Sequence, residues 1–283
     1  MNSIEQLWAS FKRRNVAEQI IGLNLLLFIL LYLFNSFAFV MGLEENYLLY
    51  YLSLKADLDL LIFQPWTLIT YGFVHEGFLH ILFNMILLYY FGQLFLDFFD
   101  RGSFIRYYLI GILMGGLIYL IAYNFFPGLK TTQSLLIGAS AGVTAIVIGI
   151  ASHIPNYAMH FRFIGSIKLL YIAIVLVLWD LIQIPNGNAG GHLAHLGGAL
   201  AGFMLTRMGT GKGFSIDFGS FGKTRRSKQP FQKVYKNKQQ NSPGSKTATD
   251  QEKIDAILDK ISKSGYDTLT KEEKEFLFNA GKK

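Results

Sequence analysis

Six largely apolar runs fill most of the first 207 residues of the chain. They cover 18–41, 77–96, 104–124, 134–152, 167–184 and 189–207. Each is close to the length of about 20 residues that a helix needs to cross the hydrocarbon core of a bilayer. The pattern therefore predicts an all-α integral membrane protein, built as a bundle of six transmembrane helices.

Lysine and arginine are concentrated at one end of these predicted spans. They precede the first span, and they lie between the second and third and between the fourth and fifth: Lys12, Arg13, Arg14, Arg101, Arg106, Arg162 and Lys168. The loops 42–66 and 125–133 carry one lysine each, and 185–191 carries no cation. Since cationic loops favour the cytoplasm, we predict a multi-pass protein of the cell (inner) membrane with both termini cytoplasmic.

Composition supports this class and narrows the chemistry. Hydrophobic residues make up 52% of the chain and charged residues 16%, whereas soluble domains carry about 25% charged residues. These values argue against a soluble enzyme. The chain has no cysteine, which excludes thiolate metal sites, iron–sulfur clusters and a cysteine nucleophile and leaves the redox compartment open.

The net charge of +7 is concentrated after the last apolar run. Between residues 209 and 250, nine lysines and arginines accompany two aspartates, with glycine, serine, glutamine and asparagine between them. This composition predicts a flexible linker. Its cations would bind anionic lipid, with about 1 kcal/mol for each cation near the surface. Nucleic acid is disfavoured as a partner because aromatic residues for stacking are few.

Residues 251–283 are predicted to form a small helical cytoplasmic module. One apolar stripe at helical spacing consists of Ile254, Ile257, Leu258 and Ile261. Gly265 would end this helix, and Thr270 with Glu273 would form the capping box of a second. A helical pair of this size cannot hold a core of its own, so we expect it to dock on another surface. The predicted domains are 1–16, 17–208, 209–250 and 251–283.

Polar residues recur at one depth in the even-numbered spans. His80 and Asn84 lie on one face near the outer start of the second span. Ser140 and His195 lie near the outer starts of the fourth and sixth. At 1.5 Å per residue, each is roughly 5–10 Å below the outer boundary. Such residues are costly within a membrane, so their shared depth indicates one functional site.

Small residues surround the serine and the second histidine. They are Gly138 and Ala141 on the fourth span, and Ala194, Gly198 and Gly202 on the sixth. Taken alone, each set is equally typical of a close helix-packing face. Ser140 would then bond back to a backbone carbonyl, and His80 and Asn84 would link neighbouring helices.

Together, these polar residues supply the parts of acyl-transfer chemistry. Ser140 is the candidate nucleophile. His195 is the candidate base, and later the acid that protonates the leaving amine. His80, Asn84 and the backbone N–H of Ser140 are candidate donors to the oxyanion, worth about 3–4 kcal/mol each.

Two further polar residues bear on this arrangement. Asp180, near the outer end of the fifth span, is the only carboxylate candidate for a third triad member, and we interpret it as a loop or interface residue. The prediction is therefore a Ser140–His195 dyad. His192, one helical turn before His195, is expected at the rim, where it binds water or orients a loop.

Three motifs resemble those of the rhomboid intramembrane serine proteases. They are Gly-x-Ser-x at 138–141, Ala-His-x-x-Gly-x-x-x-Gly at 194–202 and His-x-x-x-Asn at 80–84. Their order along the chain and their even-numbered spans also match, and the resemblance covers residues 16–208. It implies a bacterial six-span protein with a C-terminal cytoplasmic extension.

The resemblance assigns the same roles to the site residues. Ser140 is the nucleophile, His195 is the base, and His80 with Asn84 donates to the oxyanion, with no cofactor and no metal. Many members place an aromatic residue four positions after the serine, where it stacks on the histidine. Thr144 stands here, so another group must orient His195.

The resemblance also implies a substrate class. Single-span membrane proteins would be cleaved near their extracytoplasmic face, in a site that opens to that side. Hydrolysis needs water, so the serine must face a water-filled cavity. The fifth span and the glycine-rich loop 185–191 are the expected place of lateral entry.

Three other functions remain open from the sequence. The first is a catalytically silent relative that binds membrane clients. The second is a haem or metal protein, ligated by His75, His80, His192 and His195. A transporter is the third, and it is disfavoured because paired broken spans and an intramembrane carboxylate pathway are lacking.

Overall fold

A computed structural model describes residues 3–43, 46–130, 134–162, 165–209, 253–261 and 265–280. The chain divides into two compact units, 1–217 and 218–283. In the described part of the first unit the α-helices are α1 (Ser3–Arg13), α2 (Val16–Val40), α3 (Tyr47–Leu52), α4 (Leu58–Phe63), α5 (Thr67–Thr70), α6 (Phe78–Phe98), α7 (Arg101–Phe125), α8 (Ser140–His153), α9 (Leu169–Gln183) and α10 (Ala189–Arg207).

In the same described residues, two short antiparallel strand pairs lie between these helices. β1 (Leu54–Lys55) pairs with β2 (Leu135–Leu136), and β3 (Ala158–Phe161) pairs with β4 (Gly165–Lys168). The first pair ties the segment before α4 to the segment before α8. It therefore fixes the entry to the helix that begins with Ser140.

The predicted fold class is confirmed: the chain is an all-α integral membrane protein. Within the part of the chain that the structure describes, four helical segments are long and apolar enough to cross a bilayer: Val16–Val40, Phe78–Phe98, Arg101–Phe125 and Leu169–Asn186. α8 has only 14 residues, which gives a length of about 21 Å. α10 contains five glycines and is less apolar than these four segments. The count of six spans therefore stays a prediction.

Capping side chains explain where the helices begin. The carboxylate of Asp100 accepts a 2.7 Å hydrogen bond from the backbone N–H of Ser103, so α7 starts at Arg101 and not at 104, where the apolar run begins. Asn15 caps α2 in the same way, through the backbone N–H of Glu18 at 3.0 Å. Polar caps precede the apolar residues that they serve, and a hydropathy pattern therefore places such starts too late.

The predicted fourth span, 134–152, is wrong in its first six residues. Residues 134–139 are not helical: Leu135–Leu136 forms strand β2, and Gly138 has φ +114°. The backbone N–H of Gly138 donates to the carbonyl of Tyr71 at 2.9 Å. An apolar run does not distinguish a buried strand from a helix, and the left-handed glycine ends the extended segment.

α8 and α10 approach each other closely at small residues of α10. A Cβ atom at Gly198 would overlap the carbonyl oxygen of Ala141, and one at Gly202 would overlap that of Ala145. Both glycines, like Ala194, are buried. The small-residue strip predicted from the sequence is therefore a packing face, and it brings His195 against the start of α8.

The second unit contains two described helices, α11 (253–261) and α12 (Lys271–Ala280). The predicted capping box is confirmed: Thr270 N–H donates to Glu273 at 2.8 Å, and Glu273 N–H donates to the Thr270 hydroxyl at 3.3 Å. Lys260 also binds Glu273 at 2.9 Å. This ammonium, together with the Thr270 backbone, lowers the pKa of the Glu273 carboxyl.

The apolar stripe of α11 is only partly buried. Ile257 is buried, whereas Leu258 is half exposed. Residues 210–252, which include almost all of the predicted basic linker, lie outside the described residues. The linker, its anionic-lipid partner and the docking of the module therefore stay predictions.

Candidate active site

Ser140 and His195 meet between α8 and α10. Ser140 is the first residue of α8, and His195 lies in the second turn of α10. The serine Oγ is 2.7 Å from the histidine Nε2, so the hydroxyl can donate its hydrogen to that nitrogen. The two residues are 55 positions apart in the chain, and the packing of α10 on α8 brings them together.

Asp180 completes this arrangement, contrary to the interpretation of it as a loop or interface residue. It lies within α9, is only 6% exposed, and its Oδ1 is 2.8 Å from Nδ1 of His195. Because a carboxylate accepts hydrogen bonds, Nδ1 carries the imidazole proton and Nε2 is free to accept. The predicted dyad is thus one part of a Ser140–His195–Asp180 chain of hydrogen bonds.

His192 is not only a rim residue. Its Nδ1 is also 2.8 Å from Oδ1 of Asp180, so one carboxylate oxygen receives both imidazoles of α10. The Asp180 contact explains what orients His195 in the absence of an aromatic residue at Thr144. Leu169 is the one other buried residue of α9.

The candidate oxyanion donors line the same cavity as the serine and the base. This cavity has a volume of about 550 Å³, and its lining includes Leu79, His80, Phe83, Asn84, Ser140 and His195. The side-chain amide of Asn84 donates to the backbone carbonyl of His80 at 2.9 Å. An amide nitrogen has two hydrogens, so the second remains available to a substrate.

The backbone before Ser140 is held by His75, in the segment that precedes α6. His75 is fully buried, and its Nε2 accepts a 3.3 Å hydrogen bond from the backbone N–H of Ala139. Burial, followed by the neighbouring His80, lowers the pKa of His75 to about 4. The imidazole is therefore neutral at neutral pH, as an acceptor nitrogen requires. Because Ser140 opens α8, its own N–H has no partner within the helix.

The sequence alone also allowed a metal or haem site built from four histidines. Among the described residues, the group whose atoms could hold a metal ion together is Asp180, His192 and His195. His75 and His80 are not members of this group, and their rings pack edge to face at 5.1 Å between centroids. The structure therefore does not assemble the four-histidine set.

Residues 63–211, which contain the serine, the base and both oxyanion candidates, match the family model of the Rhomboid domain. The chain belongs to the rhomboid family. Residues 244–282 match a second model, that of a family of unknown function (DUF6576), and this match covers the described helices of the C-terminal unit.

Two curated relatives carry rhomboid names. RHOMBOID-like protein 12, mitochondrial, from Arabidopsis thaliana is 32% identical over 145 residues, which are 47% of this chain and 43% of that protein. Rhomboid-related protein 2 from Mus musculus is 30% identical over 173 residues, or 57% of this chain and 51% of that protein. The chain thus spans about half the length of these relatives. The predicted family is confirmed, and the predicted bacterial origin stays a prediction.

Sequence reasoning missed one residue of this rhomboid site, although a signal for it was present. Apart from Glu18, the first residue of the first predicted span, Asp180 is the only carboxylate within the predicted spans, and a buried charge in a membrane requires a partner. Asp180 is 12 positions from His192 and 15 positions from His195 along the chain. No spacing rule within one helix relates these residues, so only the three-dimensional packing of α9 on α10 shows the contact.

Gly138 is a small residue of the rhomboid site that lies beside both His80 and Ser140. It has φ +114°, and a Cβ there would lie 2.6 Å from Nε2 of His80 and 3.7 Å from Oγ of Ser140. The imidazole of His80 therefore lies against the backbone of Gly138.

Gly138→Ala is expected to destabilise the protein by about 1–2 kcal/mol, because an L-residue is strained at positive φ. It should also displace the His80 ring. The free energy of unfolding in an SDS titration measures the first effect. Gly128→Ala is the matched control, because that glycine has no positive φ and a Cβ there would meet nothing within 4 Å. Equal stability of the two variants would contradict the prediction.

Proposed function

We propose that this rhomboid is an intramembrane serine endopeptidase that cleaves transmembrane segments of membrane proteins. The observation that carries the proposal is the 2.7 Å contact between Ser140 Oγ and His195 Nε2 at the wall of a cavity. A serine is a weak nucleophile until a base accepts its proton, and this contact supplies the base.

The first half of the reaction forms an acyl-enzyme. His195 Nε2 takes the proton of Ser140 as Oγ attacks the carbonyl carbon of the scissile bond. The carbonyl oxygen becomes an oxyanion, which accepts hydrogen bonds from the Ser140 N–H, Asn84 and His80. The tetrahedral intermediate collapses when His195 returns the proton to the leaving amine, and the C–N bond breaks.

The second half uses water that enters from the cavity. His195 takes a proton from the water as its oxygen attacks the ester carbonyl. The proton then returns to Ser140 Oγ, the new carboxylic acid leaves, and the enzyme is restored. Asp180 accepts from Nδ1 throughout, which keeps the imidazole in place and stabilises its charged form.

The substrates we propose are single-span membrane proteins cut near their extracytoplasmic face. A substrate helix hides its peptide bonds in its own hydrogen bonds, so residues that weaken the helix should favour cleavage. We place lateral entry beside α9 and the loop 185–191. Most side chains of α9 are exposed, and Asn188, which precedes α10, and Gly191, in its first turn, line the cavity.

A fluorophosphonate probe tests the activated serine without knowledge of a substrate. We expect the wild-type protein, folded in mild detergent, to be labelled at Ser140, with labelling lost in Ser140→Ala and His195→Ala. Mass spectrometry of the adduct identifies the labelled residue.

The chain provides a matched control for this test. Ser166 contacts Nδ1 of His160 at 2.6 Å on the exposed hairpin β3–β4, and this pair lies outside the cavity. Ser166→Ala should keep full labelling. A folded wild-type protein that takes up no label would contradict the proposal and favour a silent, client-binding rhomboid.

A further inference from the structure

Three potential metal ligands converge on the Nδ1 side of His195, opposite the Nε2 atom that contacts Ser140. The Nδ1 atoms of His192 and His195 each lie 2.8 Å from Oδ1 of Asp180, and the three atoms lie within 4.8 Å of one another. Two imidazoles and one carboxylate are a known ligand set for zinc in open sites with water in the fourth position.

We propose that Asp180, His192 and His195 form an inhibitory binding site for a zinc ion. The binding part of this proposal stands on the cluster itself. The inhibition part rests on the proposed peptidase function.

The spacing of the three atoms suits a tetrahedral ion. Zn–N and Zn–O bonds of about 2.0–2.2 Å place neighbouring ligand atoms about 3.3 Å apart, which lies between the shortest and longest separations in the cluster. Small rotations of the two imidazoles would therefore admit the ion. The side chains of Asp180, His192 and His195 are 8%, 15% and 25% exposed, so the site is largely desolvated while His195 still faces the cavity.

Zinc at this site removes the base by moving one proton. Coordination uses the lone pair of Nδ1, so the neutral imidazole of His195 must carry its single proton on Nε2. Nε2–H then faces Ser140 Oγ as a donor and cannot accept the hydroxyl proton. No proton is lost overall, and the carboxylate that oriented the ring becomes a ligand. Metal-bound histidines commonly donate their other N–H to an oxygen, and Ser140 Oγ is in position to accept it.

Calorimetry with zinc chloride tests binding independently of catalysis. The protein is the full chain carrying Ser140→Ala in detergent, which keeps all three ligands. We expect one zinc ion per chain at this site, with affinity reduced at least about tenfold by an added His192→Ala change. His160→Ala on the same background is the control and should leave the affinity unchanged, because His160 lies on the hairpin β3–β4.

A second ligand variant keeps this test decisive if His192→Ala fails to fold. Asp180→Asn on the same background preserves side-chain volume and removes the anionic ligand, and it should also weaken zinc binding. Unchanged zinc affinity in either folded variant would overturn the site. Absence of binding by the folded Ser140→Ala protein at micromolar zinc would overturn it as well.

Serine labelling then tests inhibition. Zinc should slow fluorophosphonate labelling of the wild type, EDTA should restore it, and His192→Ala should be less sensitive to zinc relative to its own zinc-free rate. Zinc binding without any labelling would refute the peptidase and leave the metal site standing. Labelling without zinc binding would refute the site and leave the peptidase standing.

Discussion

Asp180→Asn is expected to lower the turnover of the proposed peptidase by about 10²–10⁴-fold. An asparagine can turn its NH₂ group towards Nδ1 of His195, which then has to accept. The imidazole proton moves to Nε2, where it faces Ser140 and prevents proton transfer from the hydroxyl. The rate of Ser140 labelling by a fluorophosphonate, together with kcat and KM on a single-span model substrate, measures the effect.

The expected pattern separates positioning of the base from a purely structural role. The fall should lie in kcat with little change in KM, since the carboxylate contacts His195 and does not line the cavity. Asp97→Asn is the control: the same substitution at an exposed position of α6, about 25 Å along the helix from His80, should leave both constants unchanged. Unchanged kcat with a lower Tm would mean that Asp180 only fastens α9 to α10.

The sequence could predict the depth of a site residue in the membrane, but not which neighbouring helix its side chain faces. Ser140, His195, His80 and Asn84 could be brought to one depth from the sequence, because span boundaries and a fixed rise per residue determine depth. The cavity confirms that these four residues lie together. Asp180 could not be placed in the same way, since its contact depends on how α9 turns about its own axis against α10.

The start of the helix that carries Ser140 also could not be predicted from the sequence. Hydropathy predicted one helix over 134–152, yet strand pairing with residues 54–55 and the positive φ of Gly138 delay the helix to Ser140. That delay has a functional consequence. It leaves the N–H of Ser140 at a helix start, without a partner inside the helix, whereas in a continuous helix the N–H would bond to the preceding turn.

Gly198→Ala is expected to destabilise the bundle by about 3 kcal/mol. A Cβ at this position would overlap the Ala141 carbonyl oxygen and crowd its backbone carbon, and backbone atoms cannot rotate away as a flexible side chain can. The intrinsic gain of about 1 kcal/mol in helix propensity does not offset this overlap. An SDS titration that yields the free energy of unfolding measures the loss.

Gly102→Ala is the matched control for this substitution. Gly102 is also helical, in α7, but the nearest atom to an added Cβ is 3.7 Å away, so the free energy of unfolding should not fall, and should rise by no more than the helix-propensity gain of about 1 kcal/mol. Gly198→Ala should also slow Ser140 labelling in the molecules that remain folded, because Ala141 adjoins Ser140 and α10 carries His195. Equal stability and equal labelling in the two variants would show that α8 and α10 can separate without loss. The contact between the Gly198 and Ala141 backbones would then not be what holds the serine against its base.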